Sequence, residues 1–337
     1  MNIKNTLLLL TIVLLAGCTQ ESQQDNINSN YNIVFMSRAD SQAGELYYYN
    51  ATSQEIIRLT NNNRHENNPA LSRNGRYIAF HAGNESNPLT WEIYYIDLET
   101  MIEHRLTSNN LIDGHPDWSP DSSKIIYASF QDPQENPAGV ADLFIIDRTS
   151  LNTTRLTSND YEDSDPEWSP DGTMIVFKST REKNETLKEE IYVMNPDSSN
   201  VRKLTNTTGW NSDHDPSWSP DNKNVVFTHY EGSIPWTSIG DIANFQNNYP
   251  FMTPWNSFKV GLKDNNQRLT NSADISALPV YSPDGQKIMY IKYTPIIINN
   301  LIMGFEHALV TIKPDGTNPE IIMRDNKHTP TLEYYDW

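Results

Sequence analysis

The stretch from Asp163 to Ser179, DSDPEWSPDGTMIVFKS, returns with edits as DGHPDWSPDSSKIIYAS from Asp113 and as DHDPSWSPDNKNVVFTH from Asp213. Looser copies begin near Asn67 and Ser276. The prolines that open the motif are Pro69, Pro116, Pro166, Pro216, Pro279 and Pro330. A second marker closes each unit: Arg58-Leu59-Thr60, Arg105-Leu106-Thr107, Arg155-Leu156-Thr157, Lys203-Leu204-Thr205 and Arg268-Leu269-Thr270. Two markers in phase at a period near 50 residues define a repeat architecture, and that constrains the fold before any local assignment does.

Each unit carries short runs of strand character separated by turn residues. In the third copy these are Glu167-Trp168-Ser169, Met174 to Lys178, Glu190 to Met194 and Val201 to Leu204, with Pro170-Asp171-Gly172 and Asn195-Pro196-Asp197-Ser198 as turns. No stretch beyond residue 17 sustains a long helical apolar period. Four antiparallel strands repeating in this way predict an all-β chain of propeller blades. Residues 33–60 hold the second, third and fourth strands of a blade without a first, while Thr329 to Trp337 reads as a first strand without the rest. The two halves complement each other. The expectation is a six-bladed β-propeller of four-stranded blades, closed by the C-terminal strand joining the N-terminal blade, which removes exposed sheet edges.

The position two after each proline is Leu71, Trp118, Trp168, Trp218, Tyr281 and Leu332, which predicts large side chains packed between neighbouring blades. The aspartates of the S-P-D turns, Asp121, Asp171, Asp221 and Asp284, read as turn residues. Together, P-x-W-S-P-D-G, the following I-x-F strand, the I-Y-x-M strand and the R-x-L-T close resemble the PD40, or WD40-like, repeat of the TolB propeller family. The resemblance covers Tyr31 to Trp337. It implies a propeller and leaves the activity open, because similar blades occur in TolB, in oligogalacturonate lyases and beside serine peptidase domains. No Gly-x-Ser-x-Gly elbow is present, so a peptidase is not expected.

The N-terminus reads as an export signal over residues 1–17: Lys4 precedes an apolar run, Leu7 to Leu15, too short to span a bilayer. Leu15-Ala16-Gly17-Cys18 resembles the bacterial lipobox, and Cys18 is the single cysteine of the chain. This implies acylation of Cys18, a polar tether over 18–30, a propeller over 31–337, and a cell-envelope location. With Thr19 after the cysteine, the resemblance implies the outer membrane facing the periplasm. The formal net charge of −18 opposes binding to nucleic acid and direct adsorption to anionic lipid, leaving the acyl anchor as the membrane contact.

In a four-stranded antiparallel blade, the connections before the first strand and between the second and third lie on one face. The sequence makes these the long ones, including 81–90, 130–141, 180–189, 230–256 and 294–306, so binding is expected there. The insert 230–256 carries Trp236, Phe245, Tyr249, Phe251 and Trp255, rings suited to a peptide or glycan. Near the axis, Asp113, Asp163 and Asp213 stand three before the proline and read as structural. His115, His214, His328, Asp165 and Asp215 are the candidates for a divalent-metal site, although no H-x-x-x-H or H-E-x-x-H pattern supports one. No residue is assigned a catalytic role and no cofactor is expected. The resulting reading is a non-enzymatic binding or scaffold module for an envelope protein, peptide or glycan. The alternative is a metal-dependent polysaccharide lyase of oligogalacturonate type, or a hydrolase, at the channel mouth.

Overall fold

The structure is a computed structural model that describes residues 29–38, 43–130, 139–181, 189–206, 211–230, 255–262, 267–270, 275–298, 301–324 and 335–337. Cys18, Trp236, Phe245, Tyr249, Phe251 and His328 lie outside these residues. Trp255 opens a strand, and its side chain is likewise outside the description. Among the described residues no helix is long and apolar enough to cross a membrane.

Strands β1 (Ile33–Ser37), β2 (Glu45–Asn50) and β3 (Glu55–Arg58) begin the chain, followed by a sheet of β4 (His65–Leu71), β5 (Tyr77–Asn84), β6 (Asn87–Asp97) and β7 (Ile102–Arg105). The next sheet holds β8 (Ile112–Trp118), β9 (Lys124–Phe130), β10 (Ala141–Asp147) and β11 (Thr153–Arg155). Then come β12 (Asp163–Trp168), β13 (Ile175–Ser179), β14 (Glu190–Met194) and β15 (Arg202–Lys203). After them stand β16 (Ser212–Trp218), β17 (Asn224–Tyr230), β18 (Trp255–Gly261) and β19 (Gln267–Arg268). A last consecutive set is β20 (Ile275–Tyr281), β21 (Ile288–Ile298), β22 (Leu301–Ile312) and β23 (Glu320–Arg324). Finally β24 (Tyr335–Asp336) returns to pair antiparallel with β1, giving the first sheet the order β24-β1-β2-β3. This is an all-β propeller of four-stranded antiparallel blades.

The repeat markers hold each blade together. The arginine or lysine of the closing triplet reaches a buried acid on the third strand: Arg58 to Glu45, Arg105 to Glu92, Arg155 to Asp142 and Lys203 to Glu190, at 2.5–3.1 Å. The threonine hydroxyl accepts the backbone N–H of the residue after that acid, as Thr157 does from Leu143 at 2.9 Å. In the S-P-D turns, Ser119, Ser169, Ser219 and Ser282 each donate to the aspartate two residues on, at 2.7–2.8 Å. Gly172 and Gly285 then take the left-handed conformation that closes the turn.

Hydrophobic clusters bridge blades that follow one another in sequence. Trp168 packs with Ile126 and Leu143 of the preceding sheet, and Trp218 with Val176 and Val193. Another cluster joins the last consecutive sheet to the first, uniting Met289, Ile291 and Leu309 with Ile33, Phe35, Tyr335 and Trp337. Carboxylates sew the seams: Asp117 accepts the N–H of Trp168, Glu167 that of Trp218 and Asp336 that of Leu71, at 2.7–3.0 Å.

Three expectations need correction. Trp337, not Leu332, takes the repeat's aromatic phase. Its indole donates to the carbonyl of Val280 at 3.2 Å just as Trp118 donates to that of Ala70 at 3.2 Å. Leu332 itself lies outside the described residues. Second, 81–90 and 294–306 are not loops at large: β5 runs to Asn84 and β6 starts at Asn87, while β21 runs to Ile298 and β22 starts at Leu301. In the latter pair, the β-branched run Ile296-Ile297-Ile298 favours a continued ladder over a loop. Third, Asp113, Asp163 and Asp213 lie inside the innermost strands, which start earlier than the sequence suggested.

Candidate functional site

The first strand of each blade is the inner edge of its sheet, which is where a proline can stand without breaking a ladder on both sides. In β4, β8, β12, β16 and β20 the register to the next strand slips across that proline, forming a bulge. The residue just before the proline is left-handed each time: Asn68 at φ 46°, His115 at 54°, Asp165 at 50°, Asp215 at 50° and Leu278 at 57°. Such a conformation costs a residue with a Cβ about 1–3 kcal/mol, and such residues cluster at functional sites. A bulge re-aims a side chain. All five residues line one cavity of about 670 Å³.

The cavity runs from this ring to the short-turn end, where Arg73, Gly75, Pro220 and Pro283 line it with Asn30, Tyr31 and Asn32. The seam carboxylates Asp117, Glu167 and Asp336 form part of its wall. Burial drives the acidity of all three downward. The carboxyl of Asp117 is pushed up to about 7 and that of Asp336 to about 6; Glu167 is raised well above its ordinary range by burial and by Asp117.

Charge around the ring is paired across blades. His115 Nδ1 lies 2.8 Å from Asp165 Oδ1, and Asp165 Oδ2 lies 3.3 Å from Lys178 Nζ. Lys178 also contacts Glu189 Oε1 at 3.1 Å, whose other oxygen meets His214 Nε2 at 3.2 Å and accepts Ser212 Oγ at 2.9 Å. Burial works against each charge, and the partners outweigh it. Lys178 is held well above its ordinary value by Asp165 and Glu189, while Asp165 is held well below by Lys178 and His115. His115 is raised by Asp165, which outweighs the partial desolvation of its ring, and Glu189 is lowered by His214 and Lys178. Asp215 goes the other way, raised by burial and by the nearby charge of Asp165.

These directions limit the chemistry. Near neutral pH Lys178 is an ammonium and no nucleophile, and Asp165 is a carboxylate too acidic to serve as a general base. His115, with 39% of its side chain exposed, and Asp215 are the ring members able to meet a ligand through a hydrogen bond or a charge. Among the described residues, no group of three or more His, Cys, Asp or Glu side chains is placed to hold a metal ion.

Of the sequence candidates, the structure brings His115, Asp165 and Asp215 into one ring and puts His214 in the same network, turned toward Glu189. Asp113, Asp163 and Asp213 are buried and bonded inside their blades to Ser129, Ser179 and His229 at 2.5–2.6 Å, a structural role. Sequence reasoning missed Lys178, Glu189, Asn68 and His81. One signal was available. The residue after the aromatic of each second strand is Met36, His81, Ala128, Lys178, Thr228 and Ile291, varied chemistry at a fixed phase. That phase lies beside the bulges: His81 Nδ1 accepts the N–H of His115 at 3.2 Å and Thr228 Oγ1 that of Leu278 at 2.9 Å, each from the preceding blade.

Residues 134–241, which span the second and third of the strong repeat copies, match the family described as PD40, TolB beta propeller domain. The chain carries a TolB-like β-propeller. TolB from Acinetobacter baumannii superposes with a TM-score of 0.61 at 18% identity, over 90% of this chain and 65% of that one. The putative TolB from Agrobacterium tumefaciens gives 0.59 at 16% identity, over 87% and 88%. An oligogalacturonate lyase in complex with manganese gives 0.55 at 15% identity, over 88% and 74%. At these identities the likeness is one of fold, and the chain spans 65% of the length of the A. baumannii protein. No curated protein matches the chain in sequence. The TolB-like propeller therefore supplies the frame, and the ring of bulge residues is what this chain places inside it.

Proposed function

We propose that this TolB-like propeller has six blades, is anchored in the cell envelope through acylated Cys18 at the outer membrane facing the periplasm, and acts as a non-enzymatic module that binds a protein, peptide or glycan. One observation carries the reading. The left-handed bulges hold Asn68, His115, Asp165 and Asp215 toward a single cavity, while Lys178 pairs with both Asp165 and Glu189 instead of leaving them free for proton transfer. A rigid polar ring with its strongest charges already paired suits recognition better than turnover. The long-loop end, with Trp236, Phe245, Tyr249, Phe251 and Trp255, is where the partner would make its outer contacts.

The test is photo-crosslinking in intact envelopes, with p-benzoylphenylalanine in place of His115 on the axis and of Ser86 on the long-loop face. A discrete adduct at either position supports a binding module. The lyase alternative, in which His115, His214, His328, Asp165 and Asp215 would hold a divalent metal, is supported only by likeness of fold. Stoichiometric Mn²⁺ in the purified chain, lost in His115→Ala with His214→Ala, together with cleavage of acidic oligosaccharides and no adduct, overturns the binding reading.

A further inference from the structure

The innermost strands carry a pattern that runs along the axis. On β12 the bulge residue Asp165, then Pro166 and the seam carboxylate Glu167 follow one another, and on β8 His115, Pro116 and Asp117 do the same. All six line the cavity of about 670 Å³, as do Asp215 of β16 and Asp336 of β24. The cavity is therefore acidic at two levels. Asp165 and Asp215 stand at the bulges, and Asp117, Glu167 and Asp336 stand nearer the short-turn end. Against these five carboxyl groups the lining sets one guanidinium, Arg73, and one imidazole, His115. Between the two levels lies an apolar collar, because Pro69, Pro116, Pro166, Pro216 and Pro279 also line the wall.

Two residues along a strand advance about 7 Å. The carboxyls are thus spread along the axis and do not gather about a point, in keeping with the lack, among the described residues, of any three acidic or imidazole side chains placed to hold a metal ion. Such a lining complements an extended cation, charged at both ends and apolar in the middle. Five single bonds of about 1.5 Å in zigzag put the ammonium groups of 1,4-diaminobutane about 6 Å apart. Its methylenes would then pass the proline collar.

The bulge level has acceptor capacity left for such a group. The side chain of Asp165 is 8% exposed, and its Oδ1, although 2.8 Å from His115 Nδ1, receives no hydrogen bond among the described residues. A buried carboxylate oxygen without a donor is costly. Asp215 has no ion-pair partner among the described residues and feels the like charge of Asp165. One ammonium carries three N–H donors, enough to serve both.

We propose that the axial cavity binds a linear aliphatic diamine or polyamine, with one ammonium at Asp165 and Asp215 and the next at Asp117, Glu167 and Asp336. This rests on the reading of the ring as a recognition site and names the class of its ligand, which leaves the long-loop end to the envelope partner. Binding has a proton signature. Burial raises Asp117 to about 7 and Glu167 well above its ordinary range, under the further influence of Asp336 and Arg73, so both hold protons near neutral pH. An ammonium beside them favours the ionised form, and protons are released.

The test is isothermal titration calorimetry of the full chain in nonionic detergent at pH 7, with 1,4-diaminobutane as the probe, in PIPES and in ACES, two buffers of different ionisation enthalpy. Saturable one-to-one binding is expected, about tenfold tighter than that of n-butylamine, which has a single ammonium, and weakened about tenfold by Asp215→Asn or Glu167→Gln. Both variants should fold, as circular dichroism will show: asparagine suits the left-handed position 215, and glutamine can still accept the N–H of Trp218. The heat should differ between the buffers in the sense of proton release. Equal heats overturn the part given to Asp117 and Glu167. Equal affinity for n-butylamine, or variants that fold and bind as the parent does, overturn the two-level site. No binding of 1,4-diaminobutane overturns the proposal, while crosslinked adducts at residue 115 or 86 in envelopes would leave the binding reading standing.

Discussion

The indole of Trp337 donates to the carbonyl of Val280 at 3.2 Å, repeating at the join between chain ends the bond that Trp118 makes to Ala70 within the continuous chain. The join is therefore built like any other seam. Trp337 is buried between Tyr31, Tyr335 and the apolar side chains of both blades. Trp337→Ala removes that packing and leaves the Val280 carbonyl without its donor. The expected loss is about 3–5 kcal/mol, read as a lowered urea midpoint. Trp118→Ala should cost a similar amount. A Trp337 variant as stable as the parent would mean that the ends are not joined in solution.

The triplet that closes each unit makes a second expectation. Thr157 Oγ1 accepts the N–H of Leu143 at 2.9 Å and donates to Asp142 Oδ1 at 3.1 Å. All of these groups are buried. Thr157→Val keeps the volume and orphans a buried donor and a carboxylate oxygen, so about 1–3 kcal/mol should be lost. Thr149→Val, an exposed turn residue of the same blade, should be neutral in the same unfolding measurement.

The repeat was legible because its markers act locally. Proline, aromatic, S-P-D turn and R-L-T close each bond within a blade or to its neighbour at a fixed phase, so spacing alone reveals them. What stayed hidden has physical reasons. The bulges leave no signature in residue type, since Asn68, His115, Asp165, Asp215 and Leu278 share only the proline that follows. The network around Lys178 joins Asp165 and Glu189 of its own blade to His115 of one neighbour and His214 of the other, through contacts across seams that no local pattern encodes. Pro330 directs the repeat pattern to Leu332, two residues on, and so away from Trp337. In the final copy Tyr335 stands at the proline position, and its hydroxyl donates to the carbonyl of Leu278.

Lys178 is the shared cation of two carboxylates. Replacing it by methionine keeps the aliphatic stem and leaves Asp165 and Glu189 with only the imidazoles of His115 and His214 as charged partners. Breaking a buried pair in this way costs about 3–5 kcal/mol. The rescue distinguishes charge from packing: Lys178→Met with Asp165→Asn should recover a large part of that loss, because the strongest uncompensated charge is gone. If the double variant is no more stable than Lys178→Met alone, the role of Lys178 is one of shape.

Stability should also depend on pH, with a sign set by buried carboxyls. Burial raises Glu66 to about 7, Asp117 to about 7 and Asp336 to about 6. Unfolded carboxyls titrate near about 4, so between about pH 4 and 7 the folded chain holds more protons than the unfolded one. Unfolding free energy then falls as pH rises through that window. His115, raised by Asp165, adds to the trend, while His81, lowered by burial, opposes it. Asp165 and Glu189, both depressed, contribute stability that is lost only at more acid pH, below the window. The urea midpoint at pH 5 should therefore exceed that at pH 8. Glu66→Gln should flatten the slope, since the amide keeps acceptor and volume but cannot take up a proton. A midpoint that rises from pH 5 to pH 8 would show that these carboxyls ionise in the folded chain without cost.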